Sequence, residues 1–247
     1  MSNNYFRFKK FTVQQNDVSM RVNTDGVLLG AWFSLPEGPC PQVLDVGSGT
    51  GVIALMAAQR LSEKPCNCFG CEAVEIDTPS CVQARDNFFS SSWMKNLVVY
   101  NTDFQSFARF ANHKYDAIVS NPPYFNNSLK NPSVTKRQAR HTDNLPYEDL
   151  VNGSKNLLSQ NGRLSVILPA EEFQVFEKIA EEHGFATQRQ CRVFSKEGDG
   201  RPIRIMADFS ISADKKTEAA EDLCIMNSNL EYASDYKSLT KDFYLKF

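Results

Sequence analysis

Apolar positions in this chain fall into two alternating kinds of run, and the alternation predicts the architecture. Short, nearly unbroken apolar stretches at 43–46, 68–76, 96–100, 115–120 and 162–168 have the length of buried strands. Between them, 52–60, 78–87, 147–158 and 171–183 carry helix formers, with Pro79 suited to a first turn and Gly184 to a C-terminal stop. Strands alternating with helices imply a parallel sheet with right-handed crossovers. Two more apolar runs, 185–194 and 203–212, follow one another across the polar loop 195–202, so an antiparallel hairpin is expected at one edge. The prediction is an α/β fold: a seven-stranded, mostly parallel sheet with that edge hairpin and helices on both faces. Ahead of it, 5–13 alternates enough for a small hairpin. Residues 24–32 show an apolar helical face of Val27, Leu28, Ala31 and Trp32, with Thr24 or Asp25 as a fair N-cap. Pro36, Gly38, Pro39 and Pro41 break the chain before the first main strand, 215–222 reads as a loose polar excursion, and 243–247 is apolar enough to dock. One domain over 1–247 is expected, with 1–40 as an N-terminal extension.

The polar residues at the strand ends carry the candidate chemistry, because ligands of open α/β sheets bind beyond the carboxyl ends of strands. Val43-Leu44-Asp45-Val46 runs into Gly47-Ser48-Gly49-Thr50-Gly51, and glycines at alternate positions let backbone approach a ligand closely. Val52 stands where a dinucleotide fingerprint needs its third glycine, and the absence of Gly-Lys-Ser/Thr excludes a nucleoside-triphosphate loop. Glu75, 24 residues beyond Gly51 at the end of the second strand, can accept both hydroxyls of a ribose. Asp103 can accept from an exocyclic amino group, while Phe104 offers an N–H and a ring edge. Ribose, adenine and a tail without phosphate describe S-adenosylmethionine better than NAD. After the fourth strand stands Asn121-Pro122-Pro123-Tyr124, whose prolines fix φ and stiffen the residues before them. A carboxamide, a backbone carbonyl and an aromatic ring presented together suit a planar molecule bearing an amino group. The bland alternative is a set of turn and capping residues, weakened because three carboxylates end successive strands beside a glycine loop.

Composition changes this picture only locally. Apolar content of 42% and charged content of 23% are those of an ordinary globular protein. No stretch approaches a membrane span and Met1-Ser2-Asn3-Asn4-Tyr5 lacks a signal-peptide pattern, so a cytoplasmic protein with no membrane partner is expected. Net charge of −2 gives no global pull toward nucleic acid, so a polyanion would have to meet a local patch. Lys130, Lys136, Arg137, Arg140 and His141 form one without an intervening acid, and further basic clusters lie at 7–10 and 189–204, including Arg201 and Arg204. Charge runs are more often solvated faces. Seven cysteines argue against a disulfide framework. Cys66, Cys68, Cys71 and Cys81 suggest zinc, but strand alternation would send Cys68 and Cys71 to opposite faces. Small buried core cysteines, and no metal, are the expectation.

Taken in order, the Asp45–Gly51 segment, Glu75, Asp103-Phe104 and Asn121–Tyr124 resemble the Rossmann-like class I amino-group methyltransferases. Residues 11–15, 20–32, 137–141 and 243–247 extend the likeness to the whole chain, which is similar to the bacterial tRNA1(Val) adenine-N6 methyltransferases acting on the adenine 3′ of the anticodon. Asn23 departs from the glycine expected there, which touches only the local turn. The resemblance implies S-adenosylmethionine as cofactor, contacted by Asp25, Asp45, Gly47, Gly49, Gly51, Glu75, Asp103, Phe104 and Asn121. It implies catalysis by Asn121, Pro122 and Tyr124, and residues 1–40 as an extension covering cofactor and substrate. The tRNA anticodon stem-loop would meet Tyr124, Lys136, Arg137, Arg140, His141, Arg201 and Arg204, with a structural role for His141 equally open. Two rivals share features: an enzyme methylating a glutamine amide on a release factor, and a non-catalytic cofactor- or RNA-binding module. The first carries a separate helical N-terminal domain, for which the residues before Val43 leave little room; the second has no need of both acceptors. Oligomeric state stays open.

Overall fold

An eight-stranded sheet runs through the centre of the computed structural model, which describes residues 3–16, 18–66, 68–123, 145–211 and 220–247. The chain opens with a two-stranded antiparallel ribbon, β1 (Tyr5–Arg7) and β2 (Thr12–Gln14), followed by helix α1 (Thr24–Trp32). The main sheet then alternates: β3 (Gln42–Val46), α2 (Val52–Ser62), β4 (Gly70–Glu75), α3 (Thr78–Phe89), β5 (Leu97–Asn101), α4 (Phe104–Phe110) and β6 (Tyr115–Ser120). It continues with α5 (Tyr147–Leu157), β7 (Leu158–Pro169), α6 (Ala170–Glu182), β8 (Phe185–Lys196), β9 (Arg204–Ile211), β10 (Glu221–Met226) and α7 (Ser234–Thr240). Strand order is β10-β8-β9-β7-β6-β3-β4-β5, with β7 to β5 parallel and β9 antiparallel to both neighbours.

Strand alternation divides the apolar residues between two cores, one on each face. In β6, Ala117 and Val119 face the layer of α1, α2 and α3, while Ile118 faces that of α5 and α6. All three are fully buried, which is why the sequence shows an unbroken apolar run there. Asn23 turns out to cap α1, its side chain accepting from Gly26 N at 2.8 Å, so neither Thr24 nor Asp25 is the cap. The C-terminal segment docks as expected: Phe243 is buried, and Tyr244 packs on Phe6 and Phe8 of the ribbon side.

Three expectations need correction. The sheet has eight strands, and the hairpin is not at its edge: β9 lies inside, between β7 and β8, and β10 takes the edge parallel to β8. An interior place suits β9, where Ile205, Met206, Ala207, Asp208 and Phe209 are all buried. In β10 only Leu223 is buried, and its acids pair with β8: Arg189 with Glu221 at 3.1 Å and Arg192 with Asp222 at 2.6 Å. The cysteines are not all core residues, since Cys68 precedes β4, is exposed, and forms a disulfide with Cys40; Cys66 is half-buried and Cys71 buried. Among the described residues no group of His, Cys, Asp or Glu could hold a metal ion, and no helix is long and apolar enough to cross a membrane.

Candidate active site

The register of the parallel strands gathers the site. Val46 lies opposite both Ser120 and Val74, so Gly47, Asn121 and Glu75 emerge side by side at the carboxyl edge. Backbone and side-chain bonds fix the three ends to each other. Ser120 Oγ donates to the Val46 carbonyl at 2.8 Å in a buried position, and the Gly47 and Ser48 N–H groups both donate to the Val74 carbonyl, at 2.9 and 3.2 Å. Glu75, only 7% exposed, accepts from Gly49 N at 2.7 Å and from Asp77 N at 2.9 Å, which ties the glycine loop to the end of β4.

Around these ends lies a cavity of about 590 Å³. Of the residues the sequence assigned to cofactor or catalysis, Gly47, Gly49, Glu75, Asp103, Phe104, Asn121 and Pro122 line it. Gly47 has φ +72°, and a Cβ there would meet nothing within 4 Å, so the backbone presents an open face to a ligand. Asp103 serves two ends at once, because it also caps α4 through Ser106 N at 2.7 Å. That N–H holds its carboxyl below the usual aspartate range. Phe104 lines the cavity and also fills the space that a side chain at Gly153 of α5 would need.

Three of the assigned residues are not among those lining this cavity. Asp45 is fully buried and does not line this cavity; its Oδ2 accepts from Ala54 N at 3.1 Å, and burial pushes its pKa up to about 7. Gly51 is a packing residue: at φ +77°, its Cβ would fall 2.5 Å from the Phe88 ring of α3. Asp25, assigned to the cofactor, pairs with Arg204, assigned to RNA, at 2.8 Å. Arg204 lies opposite Pro169, which ends β7, so this pair and the exposed Arg201 stand on the same carboxyl edge as Asn121. Tyr124, Lys136, Arg137, Arg140 and His141 lie outside the described residues.

Periodicity missed a strap, 19–26, whose Ser19, Met20, Arg21, Asn23 and Gly26 line the cavity. Its only signal was the resemblance over 20–32. Ile76 and Asp77, just past Glu75, also line the cavity. Ile76 and Met20 are exposed apolar side chains there, 41% and 47%, which suits a flat purine. The donor set fits S-adenosylmethionine: Glu75, Asp77 and Asp103 supply carboxylates, and Arg21 is the one basic lining residue among those described. Such a set favours ribose hydroxyls, an amino group and a sulfonium over a pyrophosphate.

Comparison with known proteins agrees. The methyltransferase small domain model matches residues 32–192. Over the full length of both chains, the sequence is 42% identical to the tRNA1(Val) (adenine(37)-N6)-methyltransferase of Bacteroides fragilis strain ATCC 25285 and 40% identical to the protein so named from Parabacteroides distasonis. The crystal structure of a predicted O-methyltransferase from Agrobacterium tumefaciens shares the fold, with TM-score 0.68 and 15% identity over 89% of this chain and 96% of that one. The fold is thus that of the class I methyltransferases, and S-adenosylmethionine is the cofactor. The chain, an S-adenosylmethionine-dependent methyltransferase, belongs to the methyltransferase small domain family.

Proposed function

We propose that the protein methylates the exocyclic N6 of adenine 37, beside the anticodon of tRNA1(Val). One observation carries the reading: Asn121, Pro122 and Pro123 line the same cavity as Glu75 and Asp103, so an acceptor for an amino group adjoins the nucleoside-binding carboxylates. Full-length relatives with that name support the choice of substrate. The adenine N6 lone pair is delocalised into its ring and is a poor nucleophile. Asn121 Oδ1 and the Pro122 carbonyl each accept one N6 hydrogen, which favours the tetrahedral nitrogen of the transition state over the planar ground state. The bound cofactor supplies an activated methyl group on sulfur, so no side chain has to act as a nucleophile. Alignment of the amino group against that methyl provides much of the remaining acceleration. Tyr124 stacks on the extruded base, a contact worth about 1–3 kcal/mol in single-strand binders. Lys136, Arg137, Arg140, His141 and Arg201 meet the anticodon stem-loop, and Arg204 supports that surface through Asp25. The chain works as one cytoplasmic domain whose residues 1–40 cover the cofactor.

Incubation with labelled S-adenosylmethionine and either total tRNA or release factor tests the substrate: label is expected in tRNA, at adenine 37. Label on the protein substrate would overturn the reading. Asn121→Ala should abolish turnover while cofactor affinity changes little, and a collapse of cofactor affinity would remove Asn121 from its catalytic role.

A further inference from the structure

The strap 19–26 does more than cover the cavity. A Cβ built at Gly49 would lie 3.9 Å from the Met20 carbonyl, so the strap crosses the glycine loop at that point. Arg21 and Ser48 each sit one residue from the crossing, and both line the cavity. Ser48 is 6% exposed, and its hydroxyl has no hydrogen-bond partner among the described residues. Arg21 is the one basic side chain among the described lining residues, where the acids are Glu75 and Asp77 after β4 and Asp103 after β5.

The order of the strands fixes which way a cofactor lies. Methyl transfer happens at Asn121, which follows β6, so the cofactor sulfur belongs over the neighbouring ends of β6 and β3. The nucleoside then extends toward β4 and β5, where the carboxylates can take its hydroxyl and amino hydrogens. The remaining substituent on sulfur is an amino-acid tail that ends in a carboxylate, and it must leave toward the glycine loop and the strap. A carboxylate there would be repelled by the acids of the nucleoside end and needs a cation. We infer that Arg21 is the counter-ion of the cofactor's α-carboxylate, with the Ser48 hydroxyl as an accompanying donor. A guanidinium can grip a carboxylate with two parallel bonds. This assignment rests on S-adenosylmethionine as cofactor.

Calorimetric titration with two nucleosides, S-adenosylhomocysteine and 5′-methylthioadenosine, tests it without any turnover. They share adenine, ribose and sulfur, but only the first carries the amino-acid tail. Arg21→Ala should weaken S-adenosylhomocysteine binding about 10- to 100-fold, the scale of a charged hydrogen-bonded contact, and leave 5′-methylthioadenosine within about twofold. Arg21→Lys should lose less, because it keeps the charge and forfeits only the fork. Retained 5′-methylthioadenosine binding also reports that the variant cavity is folded. Equal losses on both ligands would overturn the assignment in favour of a role in folding the strap. Unchanged S-adenosylhomocysteine affinity with weakened tRNA affinity would move Arg21 to a nucleic-acid phosphate. Failure of the wild type to bind either nucleoside would instead sink the cofactor reading beneath it.

Discussion

Gly47 and Gly51 share a left-handed backbone, φ +72° and +77°, yet a methyl group added at each would meet different things. At Gly47 it would enter open space in the cavity; at Gly51 it would strike the Phe88 ring, which is itself only 3% exposed and cannot swing into solvent. Gly51→Ala therefore combines left-handed strain of about 1–2 kcal/mol with overpacking of about 1–3 kcal/mol, and should lower the thermal midpoint by several degrees or more. Gly47→Ala carries the strain alone and should be the milder change in a melting scan, while in a titration it should cost more cofactor affinity. A reversed order in both measurements would contradict these roles. The sequence marked both glycines as ligand contacts because a repeat of alternate glycines looks the same whether a ligand or a phenylalanine presses on it. Asn23 shows the converse: read as a departure, it is a good capping residue whose amide oxygen closes the first turn of α1.

The turn from β3 into α2 is held from below by a buried carboxyl. Asp45 accepts from Ala54 N with one oxygen, while the other is buried without a partner among the described residues, and desolvation raises its pKa from 3.8 to about 7. The folded state therefore binds a proton that the unfolded chain has already released in that interval. The sign follows: this stabilisation is fully present below about 3.8 and is lost as pH rises through about 7. Asparagine keeps the acceptor for Ala54 N and does not titrate, so Asp45→Asn should flatten the part of the stability–pH curve between those values. Urea midpoints of both proteins from pH 4 to 8 would measure it, and parallel curves would contradict it. Elements of this buried kind were the legible ones. The sequence placed β6 at its observed bounds because a strand covered on both faces can only be an apolar run. It missed α4, a seven-residue helix whose cap, Asp103, and first residue, Phe104, had already been given to the site. It missed β10 because an edge strand held by Arg189–Glu221 and Arg192–Asp222 reads as a polar loop.

Across the whole molecule, the cavity draws on the strap, the glycine loop and the ends of β4, β5 and β6, so its walls come from stretches more than a hundred residues apart. Motifs located most of these walls because strand ends are where both chain and ligand chemistry are constrained. The pairing of Asp25 with Arg204 could not be foreseen, since it depends on β9 entering the sheet beside β7 rather than at its rim. The disulfide between Cys40 and Cys68 has a consequence at this scale that concerns force. It joins residues 28 apart, and the ring it closes holds β3, the glycine loop and α2. If the molecule is pulled from its two ends, the tension passes through the sulfurs and the enclosed segment never bears it. At about 3.3–3.6 Å per residue, the fully stretched oxidised chain should be roughly 90–100 Å shorter than the reduced one. Optical-tweezer traces with and without a dithiol would show the difference as a step in contour length, and identical lengths would mean the two cysteines are not joined. With the bond in place, tension applied to the two ends of the protein never straightens the glycine loop.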